Sequence, residues 1–340
     1  MKVSPQGALR IGVLGAAKIA RLFIEAVRLS QKVVVTAVAS RDIDRATAFA
    51  GDMAIARVHP TYEGLLADPE IDAIYVPLPN NLHSAWSIRA VEAGKHVLCE
   101  KPLAASAAEA RAMFDAAKKN GVYLAEAYPY RAQPQTLKMR ELLAASAIGR
   151  LQLVQAAFGF SLSDTTNIRM NPDLAGGALM DAGSYPVSLV RTISGERPKR
   201  VYAGSRWAES GVDLSTAATI EFASGLLAQI SCSFATARHR HALIVGDAGS
   251  ISTTYFNDTS AAFPPLLEVR RGTGWDAPRE TIETASCNGF LAEAESFHDL
   301  VRHGWSRWTG ATPEESIDIA LTLDALAASA RTRTPVDVEA

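Results

Sequence analysis

The stretch ALRIGVLGAAKIARLFIEAVRLS, residues 8–30, decides how the chain is read. Its first part, ALRIGVLG, is an apolar run of strand type, and KIARLFIEAVRLS after it has the spacing of a helix. Between them, Gly15-Ala16-Ala17-Lys18-Ile19-Ala20 matches G-x-G-x-x-G/A with Ala17 in place of the middle glycine. That glycine lets backbone approach a pyrophosphate, so alanine weakens the match without abolishing it. Two readings stand: a tight turn from strand to helix, or a turn that seats a pyrophosphate on the amides of the helix N-terminus. Position within a β-α-β unit favours the second. It makes Gly15, Ala16, Ala17, Lys18 and Ile19 candidate cofactor residues.

The alternation continues outward. VVVTAVAS (33–40) is a second strand, with a helix from about Asp42, and IDAIYVPLP (71–79) is a third, followed by a helix over 83–94. KHVLCE (95–100), a helix over 106–121 and VYLAEAY (122–128) complete the series. Strands rich in Val, Ile and Ala on both faces are those of a parallel sheet covered by helices on each side. Beyond about residue 130 the pattern changes to a helix over 134–146, several alternating strand-like runs, a helix over 178–192, and closing helices over 289–303 and 313–331. The expected fold is α/β: a Rossmann-type doubly wound parallel sheet over 1–130, then an α+β domain with a mainly antiparallel sheet over 131–340.

An NAD site places Asp or Glu at the end of the second strand, for the ribose 2′-hydroxyl. Here Ser40 and Arg41 stand there. A hydroxyl followed by a guanidinium suits a 2′-phosphate, which favours NADP over NAD; the alternative is that Ser40 and Arg41 form a solvated loop. Asp42 is read as a helix N-cap instead of a ribose ligand. In open α/β sheets ligands lie beyond the carboxyl ends of the strands. CEKPLA (99–104) lies there, with Glu100, Lys101 and Pro102 where a buried strand should stop, and so does PLPNNLH (77–83). Proline fixes local backbone, and an X-Pro bond that is cis would aim Lys101 in a defined direction. Glu100 is read either as a partner for a cofactor hydroxyl or as a surface ion pair. In AGGALMDAGSYPVSLVR (175–191), Asp181 and Tyr185 are four apart and share a helix face. A nearby lysine cation would favour a phenolate and ease proton exchange with a substrate hydroxyl.

Composition excludes several classes. The 340 residues are 48% hydrophobic and 21% charged, with a net charge of -2, and no basic block or aromatic–basic interleaving points to nucleic acid. No apolar run approaches a membrane span. The opening MKVSPQGALRIGVLG is not expected to be a signal peptide, because Pro5 and Arg10 interrupt it. Three isolated cysteines argue against a disulfide framework and a Cys-based zinc site, and no metal is expected. A cytoplasmic protein is the expectation. A hydrolase is disfavoured, since there is no G-x-S-x-G elbow and FHDLVRH (297–303) reads as an ordinary helix.

These features resemble the glucose–fructose oxidoreductase/inositol dehydrogenase (Gfo/Idh/MocA) family, through GVLGAAKIA, VASRD, YVPLPNNLH, EAGKHVLCEKPLA, EAYPYRAQPQ and GGALMDAGSYPV. The last is most similar to the branch of NADP-linked xylose dehydrogenases, dihydrodiol dehydrogenases and glucose–fructose oxidoreductase. The resemblance implies catalytic roles for Lys101, Asp181 and Tyr185. It implies cofactor contacts from Ser40, Arg41, Pro79, Asn80, His83, Glu100, Lys101 and Arg169, and substrate contacts from Lys101, Tyr130, Arg169, Asp181 and Tyr185. Two departures bear on the substrate: Ile168 stands where relatives often have Trp, and Gln133 where many have His. The resemblance further implies an open-faced second sheet and a homodimer or homotetramer formed through it. The expected activity is hydride transfer between NADP (NAD being possible) and a hydroxyl or carbonyl carbon of a sugar, polyol or cyclic diol. The alternative is a cofactor-binding sensor or regulatory protein of the same fold without turnover.

Overall fold

The computed structural model describes residues 7–339; the first six residues of the opening segment read above lie outside them. The chain divides into two compact units, one of residues 1–132 and 288–313, the other of 133–287 and 314–340.

The first unit alternates strand and helix: β1 (Leu9–Leu14), α1 (Lys18–Val27), β2 (Val33–Ala39), α2 (Ile43–Met53), β3 (Arg57–His59), α3 (Tyr62–Leu66), β4 (Ala73–Val76), α4 (Asn80–Glu92), β5 (His96–Glu100), α5 (Ala107–Lys119) and β6 (Leu124–Ala127). The six strands form one sheet in the order β3-β2-β1-β4-β5-β6, every pair parallel. All four residues of β4 are buried, as both faces of a helix-covered strand must be. The short β3 and α3 were not expected; three and five residues are too few to show a period. Gly12 in β1 is needed for packing, because a Cβ there would stand 2.6 Å from Leu65 Cδ2.

The second unit contains α6 (Pro134–Ala144), β7 (Leu151–Ser161), a π-helical turn (Leu179–Gly183) running into α7 (Ser184–Ser194), then β8 (Pro198–Trp207), β9 (Asp213–Phe222), β10 (Leu227–Ser233), β11 (Ala235–Gly246), β12 (Gly249–Thr254), β13 (Leu267–Arg271) and β14 (Arg279–Thr281). After α8 (Gly289–His303), the chain ends with α9 (Pro313–Thr332) and β15 (Val336–Asp337). The nine strands run in the order β14-β13-β12-β11-β7-β10-β9-β8-β15, antiparallel except for β7 with β10. Ala228, Ile230 and Cys232 of β10 alternate inward, and Leu227 and Gln229 face out.

One boundary differs from the reading of 131–340 as a single domain. Residues 288–313 cluster with the first unit. The reason is the apolar stripe of α8: Phe290, Ala294, Phe297 and Leu300 join the core of Leu9, Ile11, Phe23 and Val27. Lys32 adds an ion pair to Asp299 at 2.8 Å. Among the described residues no helix is long and apolar enough to cross a membrane.

A buried ion network ties α7 to α9 in the second unit. Asp318, 1% exposed, accepts from Arg191 Nε at 2.9 Å and Arg197 Nε at 2.5 Å. Removing one partner of a buried pair leaves uncompensated charge and costs about 3 kcal/mol or more. Asp318→Asn, which keeps the shape and removes the charge, is expected to lower the unfolding free energy measured by urea titration by about that amount.

Candidate active site

The order of the first sheet reverses between β1 and β4, and the ligand crevice of such sheets lies at the carboxyl ends of the strands beside that switch. Gly15 follows β1, Ser40 and Arg41 follow β2, Pro79 and Asn80 follow β4, and Lys101 follows β5. Gly15 has φ +95°, and its amide donates to Ala39 O at 2.7 Å. A Cβ there would press on Leu78 Cδ2 at 3.1 Å. Ala17 is the extended N-cap residue of α1, Lys18 and Ile19 open the helix, and among the described residues no side chain caps it. The first amides of α1 thus carry no side-chain cap, and the residues fit a dinucleotide.

Asp42 is the N-cap of α2, its Oδ1 accepting from the amides of Asp44 and Arg45. Ser40 Oγ accepts weakly from the Asp42 amide at 3.5 Å, and Arg41 is exposed. The structure adds a residue not singled out above: Arg45 Nη2 donates to Ala16 O at 3.1 Å, so its guanidinium lies on the glycine turn. The four-residue spacing in RDIDR was the available signal. Both charges are felt by Tyr62, whose hydroxyl is pushed up by burial and drawn back by Arg41 and Arg45.

The Lys101–Pro102 bond is cis, and buried side chains take the polar backbone around it. Glu100 turns its carboxylate inward, accepting Tyr75 Oη at 2.5 Å and the Lys101 amide at 3.3 Å. Glu126 Oε1 accepts the Leu103 amide at 2.9 Å. His83 lies 2.8 Å through Nδ1 from Pro102 O and 2.8 Å through Nε2 from Leu78 O. Three of the candidates are buried here. His83 is fully buried and shows no surface to a cofactor; it joins the loop after β4 to the loop after β5. Glu100 is buried, so it is not a surface ion pair. Tyr130, read as a substrate residue, is fully buried in a 3-10 turn (Pro129–Ala132), its ring edge-on to Tyr128.

His83 is pushed below its usual range by burial and the Lys101 charge, while the two carbonyls pull the other way. Glu293 of α8 completes a buried carboxyl group with Glu100 and Glu126. Burial, then the charge of Glu100, pushes it well above the usual carboxylate range, with Glu126 adding to the rise. Its signal was a glutamate inside the apolar stripe Phe290, Ala294, Phe297.

In the second unit, Arg169 Nε donates to Asp181 Oδ2 at 2.7 Å. Gly176 and Gly177 make this approach possible. The Gly177 amide donates to Arg169 O at 2.8 Å, and a Cβ on Gly176 would stand 2.4 Å from that carbonyl. Gly177, at φ +114°, leaves room for Asp213, whose carboxylate accepts the Leu179 amide at 2.8 Å and Thr216 Oγ1 at 2.7 Å. Asp181 lies in the π-helical turn and Tyr185 in the first turn of α7, so the regular helix face expected for them is widened by the π turn. Asn257 Nδ2 donates to Tyr185 Oη at 2.8 Å. Of the remaining candidates, Ile168 is exposed, and Gln133 is buried and donates to the carbonyls of Asn257 and Cys287.

A doubly wound sheet with a glycine turn at its switch point, followed by a lysine-bearing loop, defines an NAD(P)-dependent oxidoreductase. Residues 9–128 match the oxidoreductase family with an NAD-binding Rossmann fold, and residues 136–252 match the GFO/IDH/MocA C-terminal domain. The chain belongs to the GFO/IDH/MocA oxidoreductase family. It is 38% identical to D-xylose 1-dehydrogenase (NADP(+)) 2 of Haloferax volcanii over 97% of this chain and 100% of the relative. It is 37% identical to trans-1,2-dihydrobenzene-1,2-diol dehydrogenase of Danio rerio over 72% of this chain and 74% of the relative. Among solved structures, a 3-ketoreductase from Actinomadura kijaniata in complex with NADP and TDP-benzene is similar at TM-score 0.85 and 29% identity, covering 95% of this chain and 98% of that one.

The carboxyl group of Glu293 makes a pH prediction. Its folded-state affinity for a proton exceeds that of the unfolded chain, so keeping it buried costs nothing below the unfolded pKa of about 4.3 and progressively more above it. Glu293→Gln removes that cost. Urea unfolding at pH 5 and pH 8 is expected to show a smaller loss of stability across the interval in the variant than in the parent.

Proposed function

We propose that the chain is an NADP-dependent oxidoreductase interconverting a hydroxyl and a carbonyl on a sugar, polyol or cyclic diol. The observation that carries this reading is the investment around Lys101: Glu100, Glu126 and His83 are all buried and all hold the backbone of that one loop. The full-length likeness to a D-xylose dehydrogenase supports the substrate class. Arg41, with Arg45 one helical turn on, supports NADP over NAD, since guanidinium groups bind phosphate oxygens strongly.

The first unit binds the dinucleotide and the second carries the substrate. When bound, NADP supplies the two-electron acceptor or donor. Tyr185 takes the hydroxyl proton at its phenol oxygen during oxidation and returns it during reduction. Lys101 donates to the reacting oxygen and holds it. Asp181, its carboxylate fixed by Arg169, orients the substrate. Both positions act in the same way in either direction.

A cytoplasmic homo-oligomer completes the reading. The face of the large sheet bearing Ala157, Tyr202, Ala217, Thr219, Ser231 and His241 supports association through it. Tyr202 is 50% exposed there. Ala217→Arg is expected to yield monomers by light scattering where the parent is a dimer or tetramer; a monomeric parent would overturn this part.

The enzymatic reading is tested by absorbance at the nicotinamide band across aldoses, ketosugars, inositols and cyclic diols, with NADP and NAD in parallel. Lys101→Ala and Tyr185→Phe, each binding NADP normally, should lose roughly 100-fold or more in kcat. Arg41→Ala should weaken NADP at least about 10-fold and leave NAD unchanged. Near-native turnover in the first two would sink the assignment, and an NADP complex inert towards the whole panel would favour a sensor.

A further inference from the structure

Arg240 lies on β11 with only 7% of its surface exposed. Its guanidinium carbon is 4.0 Å from the ring centroid of Tyr185, 4.7 Å from that of Tyr255 and 4.8 Å from that of Phe158. Phe158 meets Tyr185 edge-on, with centroids 5.5 Å apart. The cation is thus held by three aromatic rings, one of them the proposed acid/base. Its Nη2 donates to Asn257 Oδ1 at 3.2 Å.

A guanidinium has donors only, so the oxygen of the Asn257 amide has to face Arg240 and its NH₂ has to face Tyr185. The Asn257 backbone is fixed as well. Gln133 Nε2 donates to Asn257 O at 2.9 Å and to Cys287 O at 2.8 Å, while Thr259 Oγ1 donates to Gln133 Oε1 at 3.3 Å. Gln133 is one of the two sequence departures noted above, and here it anchors the residue that contacts Tyr185.

We propose that Arg240 and Asn257 are positioning residues for Tyr185, locking its phenol oxygen as the acceptor of an inward amide and directing its proton outward to the reacting oxygen. This rests on the reading of Tyr185 as the acid/base. The same amide that orients the phenol donates to the phenol oxygen after its proton has left, with no rearrangement of the donor. Arg240 does not touch the reacting atoms; it selects the amide orientation and packs against the ring. Asn257→Asp is the informative change. A carboxylate still satisfies Arg240 but can only accept, so it draws the Tyr185 hydrogen inward.

The test is a double-mutant cycle on the best substrate of the panel with NADP, D-xylose being tried first. Asn257→Asp and Asn257→Ala are each made alone and in the Tyr185→Phe background, with NADP binding measured for every variant. In the native background both should lower kcat roughly 10- to 100-fold, with KM and NADP affinity within about 2-fold, and raise the solvent deuterium isotope effect on kcat. In the Tyr185→Phe background neither should lower kcat further, because the oxygen they act through is gone. If Tyr185→Phe alone keeps near-native kcat, the reading of Tyr185 fails. If Tyr185→Phe is impaired but the Asn257 variants are neutral, or cost the same with and without the phenol, the positioning role is overturned. Should Asn257→Ala not fold, Asn257→Asp carries the cycle, its Arg240 contact being preserved.

Discussion

A parallel strand that ends inside a helix-covered layer leaves amides and carbonyls that no neighbouring strand can take. That constraint organises the first unit. Backbone groups at the ends of β4 and β5 are buried, and an unpaired buried group costs about 1–3 kcal/mol. Side chains meet the need: Glu100 and Glu126 accept amides, and His83 stands between two carbonyls. Burying carboxyl groups together carries its own cost, visible at Glu293, whose affinity for a proton is raised first by burial and then by the charge of Glu100. A stiff loop bearing Lys101 is the result.

The second unit fixes its backbone by a different route. There the devices are steric: two glycines where side chains would meet a carbonyl and a carboxylate, a π turn, and Asp213 serving the start of that turn. Arg169 and Asp181 then form their ion pair from a short segment whose backbone has little freedom. Tyr185 is held from the far side by the Asn257 amide and by the ring-on-cation contact with Arg240.

Much of the fold was legible because its elements are long enough to show a period. Apart from the short β3 and α3, the strands and helices of the first 130 residues and the changed alternation after them follow from hydrophobic spacing alone. Positions of candidate residues were legible too, since Gly15, Arg41 and Lys101 each follow a recognisable strand. Their orientation was not. His83 and Glu100 sit within motif stretches, and nothing in a linear motif says that their side chains are buried against the backbone of a loop. The most distant relations were hidden most completely. Asn257 lies 72 residues from Tyr185, and no local pattern links them. The attachment of α8 to the first unit was equally hidden, because its apolar stripe states that it must be covered and not by what.

That attachment has a consequence for how the chain is made. The backbone passes from one unit to the other between residues 132 and 133, returns between 287 and 288, and leaves again between 313 and 314. A nascent chain that has just released its sixth parallel strand from the ribosome still lacks Phe290, Phe297 and Leu300, which complete the core around Phe23 and Val27. The nucleotide unit therefore waits, with an apolar face open, for more than half of the polypeptide to be synthesised. Cutting the gene after residue 130 would yield a fragment with that face permanently bare, prone to self-association whatever its sheet achieves alone.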